Sequence, residues 1–158
     1  MAAPVITVGL GALDATDDPG AVLVTHALGS CVAVIAWDAG RRVGGMLHFQ
    51  LPSSALDPAR AAASPGTFAD TGIPALFERM YALGARRADI AVKVAGGAAF
   101  HGALDVGRRN LVAMRKIFWK AAVLVSAEDV GGERSRTVRL FVDTGRVTVR
   151  SGSDEVSL

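Results

Sequence analysis

Two apolar runs, Cys31–Trp37 and Val43–Phe49, flank Asp38-Ala39-Gly40-Arg41, and this pattern constrains the chain more than any other. Both runs are rich in valine and bounded by glycine-containing breaks, which reads as two strands. The short Asp-Ala-Gly connection makes them a hairpin. A two-residue loop at Ala39-Gly40 pairs residue i with residue 79 − i, so Cys31 would stand opposite His48. Directly opposed side chains share a face with Cβ atoms about 4.5–5.5 Å apart, close enough for a thiol and an imidazole to exchange a proton. Pairing by 81 − i would leave the two as diagonal neighbours on one face, and pairing by 80 − i would put them on opposite faces.

The remaining composition narrows the function. With 158 residues, half of them apolar, the chain is expected to form one domain over its full length, 1–158. The net charge of +2 comes from scattered arginines, including Arg41-Arg42, Arg86-Arg87 and Arg108-Arg109, and no basic stripe interleaves with aromatics. Nucleic acid is therefore not an expected partner. No apolar run approaches the length that spans a bilayer, and the N-terminal MAAPVITVGL lacks the basic start of a secretory signal. A soluble, cytoplasmic protein without membrane insertion is expected. The single cysteine cannot form an internal disulfide and stays a free thiol.

In chain order, strands are expected at Val5–Leu10 and Ala21–Thr25, the second entering the Cys31 strand through a Leu28-Gly29-Ser30 bend. Ser53–Gly66, rich in alanine, serine and proline, reads as a loop. A helix capped by Asp70 or Thr71 carries Ile73, Leu76, Phe77, Met80 and Tyr81 and ends at Gly84. Ile90–Val94 is a buried strand broken at Gly96-Gly97. A second helix covers Arg108–Ala121, its stripe of Leu111, Met114 and Phe118 interrupted by Arg115. Strands at Val123–Ser126, Thr137–Asp143 and Arg146–Ser151 complete the chain. Hairpins outnumber strand–helix alternations, so the expected fold is α/β of the α+β type, with mixed, largely antiparallel sheets flanked by two or three helices.

The chemistry concentrates on Cys31 and His48. A thiol after a Gly-Ser bend and facing a histidine has the setting that lowers a thiol pKa and yields a nucleophile. The backbone N–H groups of Ser30 and Cys31 are candidate oxyanion donors. His26 and His101 read as surface or loop residues, and none of the histidines forms a tight ligand pair with Cys31, so no metal is expected.

The stretches VTHALGSCVAV (24–34), GGMLHFQLP (44–52), FADTGIPALFERMYALGA (68–85), KVAGGA (93–98), VGRRN (106–110), DVGG (129–132) and the terminal DTGRVTVR together resemble CheD, the chemoreceptor glutamine deamidase family. The resemblance covers nearly the whole chain, and LGSCV followed at this distance by GxxHFxLP is its most specific part. It puts Cys31 and His48 on the family's nucleophile and base and Thr25 on its third catalytic position, where the threonine oxygen would orient the imidazole. It also suggests that Gly96 and Gly97 line the cleft, and Gly29 of the bend before the thiol is a further candidate for substrate or oxyanion binding. It implies hydrolysis of glutamine side-chain amides in methyl-accepting chemotaxis receptors without a cofactor. The same acyl chemistry with methanol leaving would remove methyl esters. A different class of function also follows from the resemblance, a chemotaxis binding module acting mainly through a CheC phosphatase partner, and Cys31→Ala separates the two. A papain-like hydrolase acting on peptides is disfavoured, because nothing in the chain suggests a long peptide groove.

Overall fold

The computed structural model describes residues 2–100 and 105–158. Its strands are β1 (Val5–Thr7), β2 (Leu13–Thr16), β3 (Val22–Leu28), β4 (Val32–Asp38), β5 (Val43–Phe49), β6 (Ile90–Gly96), β7 (Val125–Val130), β8 (Arg136–Phe141), β9 (Val147–Ser151) and β10 (Asp154–Ser157). Its helices are α1 (Pro58–Ala63), α2 (Ala69–Ala82) and α3 (Val106–Lys120). The strands form two five-stranded sheets, ordered β1-β3-β8-β9-β10 and β2-β5-β4-β6-β7. Every pairing is antiparallel except β1 with β3 and β6 with β7. The expected α+β class with mixed, largely antiparallel sheets is the observed one.

The second sheet is the middle layer, which explains why its central strands read as continuous apolar runs rather than alternating ones. From β4, Val32, Val34 and Ala36 join Leu47 and Phe49 of β5 in a core with Leu76 and Met80 of α2 and Met114 and Phe118 of α3. The alternate residues Ala33, Ile35 and Met46 pack instead with Leu23, Val138 and Leu140 of the other sheet. Residues of even number on β5 therefore face the space between the sheets. That parity sends His48 there.

The hairpin register differs from the expected one. Val32 pairs with Phe49, Ala33 with His48 and Asp38 with Val43, which is 81 − i, so the loop holds four residues, 39 to 42. Cys31 and His48 are thereby diagonal neighbours instead of a directly opposed pair. Asp38 is the physical reason. Its fully buried carboxylate accepts from the Arg41 N–H at 3.2 Å, the Arg41 guanidinium at 3.0 Å and the Arg86 N–H at 2.9 Å, tying the wider loop to the segment before β6. Arg42 takes a left-handed conformation (φ 51°) to close it. Burial alone would raise the Asp38 pKa, but the Arg86 and Arg41 hydrogen bonds outweigh it and hold the carboxyl below its ordinary value. Asp38→Ala orphans the Arg86 N–H and should cost roughly 2–4 kcal/mol, read as a lower urea midpoint with unchanged slope. An unchanged midpoint would remove Asp38 from the account of the register.

Three other differences have local causes. The expected loop at Ser53–Gly66 instead contains α1, because Asp57 accepts from the Arg60 N–H at 3.1 Å and Pro58 occupies the first turn, ahead of an alanine-rich stretch. Asp70 and Thr71 do not cap α2. Asp70 accepts from Ser54 at 2.7 Å, and Thr71 donates to the Pro65 carbonyl. Arg115 does not interrupt the buried stripe of α3, which runs Gly107, Asn110, Met114 and Phe118, while Arg115 pairs with Glu128 at 3.1 Å outside it.

Candidate active site

Three neighbouring segments build the site. β3 carries Thr25, fully buried and paired with Val138, before an irregularity in which Ala27 takes φ 52°. The chain then bends through Gly29, Ser30 and Cys31 into β4. β5 brings His48, 3% exposed, into the layer between the sheets, and the half-buried Cys31 packs against the same layer.

The hydrogen bonds of Thr25 fix the state of the histidine. Thr25 Oγ1 donates to the Val8 carbonyl at 2.6 Å, and a carbonyl oxygen can only accept. The hydroxyl has one proton, so the 2.7 Å contact between Thr25 Oγ1 and His48 Nδ1 requires the imidazole to donate. The neutral ring therefore carries its proton on Nδ1 and its lone pair on Nε2. Nε2 is buried and has no hydrogen-bond partner among the described residues. A buried lone pair without a partner among these residues is able to accept a thiol proton.

Burial sets the resting protonation of both groups. It pushes the Cys31 thiol up, opposed in part by a hydrogen bond from its own backbone N–H. It also pushes His48 down from 6.5 to about 4. This corrects the sequence-based expectation of a depressed thiol pKa. Desolvation penalises both charged forms, so the resting pair is a neutral thiol and a neutral imidazole, and the proton moves when substrate arrives.

The histidine shift has a testable consequence for stability. Unfolded, the ring takes up a proton near 6.5; folded, only near 4. Between those values the unfolded chain binds more protons, so stability is retained above the window and falls as pH drops through it. The difference amounts to roughly 3 kcal/mol at about 1.4 kcal/mol per pH unit. Urea titrations should therefore show the wild type losing that much more than His48→Gln on acidification through this window. Parallel curves would contradict the buried neutral ring.

The nucleophile loop is held by its carbonyls. Gly29 O accepts from Ala98 N at 2.9 Å, Ser30 O from Asn110 Nδ2 at 3.0 Å, and Cys31 O from Gly97 N at 2.8 Å. In a trans peptide the N–H points opposite to the carbonyl, so the N–H groups of Ser30, Cys31 and Val32 are turned away from these anchors. Among the described residues no oxygen accepts from the N–H of Ser30 or Cys31, and the Cys31 N–H, which faces its own sulfur, can turn to an oxyanion formed there. The N–H of Gly97 is committed to Cys31 and supports the loop backbone. Gly96 (φ 110°) has no room for a side chain, because a Cβ would collide with the Cys31 carbonyl. A side chain on Gly29 would strike the ring of the partly exposed Phe100.

The structure brings Thr25, Gly29, Ser30, Cys31, His48, Gly96 and Gly97 into one region. Sequence reasoning missed Val8, Phe100 and Asn110. For Asn110 the available signal was a polar residue in line with Met114 and Phe118 at helical spacing, and the structure buries it fully. His26 is exposed on β3, and His101 lies outside the described residues. No group of three or more His, Cys, Asp or Glu side chains that could hold a metal occurs among the described residues.

Comparison with known proteins gives a family model, "CheD chemotactic sensory transduction", matching residues 50–151. Relatives match a larger span. A protein of Anaeromyxobacter dehalogenans named "Probable chemoreceptor glutamine deamidase CheD 2" is 64% identical over 96% of this chain and 97% of its own length. Similarly named proteins of Syntrophus aciditrophicus and Solibacter usitatus are 46% and 43% identical, over 92% and 97% of this chain and 93% and 92% of their own.

Proposed function

This chain belongs to the CheD family, and from that premise we propose that it hydrolyses glutamine side-chain amides in chemoreceptors to glutamates, through a Cys31–His48–Thr25 mechanism. The observation that carries the mechanism is the chain of hydrogen bonds from His48 through Thr25 to Val8, which leaves the Nε2 lone pair unpaired in the layer that Cys31 adjoins.

As the substrate carboxamide approaches, the Cys31 thiol passes its proton to His48 Nε2 and the sulfur bonds to the carboxamide carbon. The imidazolium is stabilised by its Nδ1–H bond to Thr25, whose oxygen is held in turn by Val8. The oxyanion accepts from the backbone N–H groups of Ser30 and Cys31. His48 then protonates the departing nitrogen, the C–N bond breaks, and ammonia leaves a γ-glutamyl thioester on Cys31. Water, deprotonated by His48, attacks the thioester, and the products are a glutamate side chain and the free thiol. Every step uses protons and electrons supplied by the chain, the amide and water, so the reaction runs without a cofactor.

Among the described residues no helix is long and apolar enough to cross a membrane. The cytoplasm is the compartment this reading requires, since the free thiol must stay reduced. Partnership with a CheC phosphatase, expected from the family, would be a separate surface property that Cys31→Ala leaves intact. The direct test of the reading incubates the purified protein with the cytoplasmic part of a chemoreceptor and follows ammonia release together with conversion of individual glutamines by mass spectrometry. Released ammonia matched by new glutamates supports it. Receptor glutamines that stay unchanged would overturn it.

A further inference from the structure

We propose that Asn110 is a positioning residue that sets the oxyanion site of Cys31, an inference that rests on reading Cys31 as the nucleophile. Asn110 lies on α3, far from the nucleophile in sequence, and is fully buried. Its Nδ2 donates to two carbonyl oxygens at once, Ser30 O at 3.0 Å and Gln50 O at 2.9 Å. Since both partners are obligate acceptors, the amide can face them only with its nitrogen, and the orientation is forced. Ser30 immediately precedes Cys31, and Gln50 follows His48 by two residues. One side chain thus clamps the segment carrying the nucleophile to the segment carrying the base.

The peptide unit between Ser30 and Cys31 is the one whose N–H belongs to Cys31. Drawing its carbonyl toward α3 turns that N–H the other way, toward the sulfur and the position of the developing oxyanion. The same amide leaves its own Oδ1 buried without a partner among the described residues. An apolar side chain would spare the fold that unpaired acceptor. It would also free the Ser30 peptide to rotate, which identifies what the asparagine provides.

The test compares two reactions of the same thiol. Acylation of Cys31 by p-nitrophenyl acetate passes through a tetrahedral oxyanion, whereas alkylation by iodoacetamide displaces iodide and develops none. Asn110→Asp keeps the volume and removes both donors, and Asn110→Ala removes donors and volume together. Both variants, at temperatures where circular dichroism shows them folded, should acylate at least about tenfold more slowly than wild type. Their alkylation should stay within about threefold of it. Equal losses in both reactions, or acylation at the wild-type rate, would overturn the proposal. Asn110→Gln keeps the amide donors one methylene further out and covers the case in which the other two do not fold. If all three fail to fold, the residue is a folding element and the positioning role is wrong. Wild-type ammonia release from receptor is recorded in parallel, so that an inactive deamidase with an intact acylation contrast rejects the functional reading and spares Asn110.

Discussion

Replacing Cys31 by alanine will reduce ammonia release from a chemoreceptor fragment to background, a loss of roughly 10⁴-fold or more. The size of the effect follows from the chemistry, because without the sulfur no covalent intermediate forms and water must attack an unactivated amide. The fold should tolerate the change. Cys31 is only half-buried and contributes one sulfur atom to the core between the sheets, so the loss of stability should be about 1 kcal/mol. Cys31→Ser should fail as badly, since a hydroxyl is a far weaker acid than a thiol and the neutral imidazole of His48 is a weak base. A Cys31→Ala protein that still releases ammonia would leave only the binding role for this site.

The second large effect separates His48 from Thr25. His48→Ala removes the proton acceptor and should lower turnover by about 10²–10⁴-fold. Thr25→Ala leaves the imidazole but takes away the acceptor for its Nδ1–H, so the ring is free to place its proton on Nε2, where the thiol needs a lone pair. The expected loss is smaller, about tenfold to a hundredfold, and should fall on turnover with receptor affinity little changed. Thr25→Ser, which restores the oxygen, should recover part of it. Steady-state rates with binding measured separately decide the matter. Full activity in Thr25→Ala would return the residue to strand packing and dissolve the tautomer argument.

What the sequence revealed and what it concealed divide along the range of the interactions. The apolar runs of β4 and β5 are local signals, and both strands lie where the runs do. The register between them is decided by the Asp38 carboxylate reaching Arg86, 48 residues away, and no local pattern displays such a bond. The face-sharing of Cys31 and His48 survives because the observed register keeps the parity of the expected one. Thr25 came from resemblance, since a threonine in a strand looks ordinary until the continuation of β1 brings Val8 and the other sheet brings His48 to it. Asn110 was hidden similarly: its helix is legible, but its two acceptors come from loops 80 and 60 residues distant. β10 was missed because its four exposed residues have no apolar pattern and pair only with β9.

In the proposed mechanism Cys31 attacks the glutamine carboxamide and holds the glutamyl group as a thioester. Hydroxylamine added during turnover tests it most directly, because it intercepts a thioester in competition with water and leaves a hydroxamate on the modified receptor side chain. The wild-type protein should leave γ-glutamyl hydroxamate on receptor glutamines, and Cys31→Ala should leave none. Ammonia release with no hydroxamate at any hydroxylamine concentration, or hydroxamate formed equally by Cys31→Ala, would contradict it.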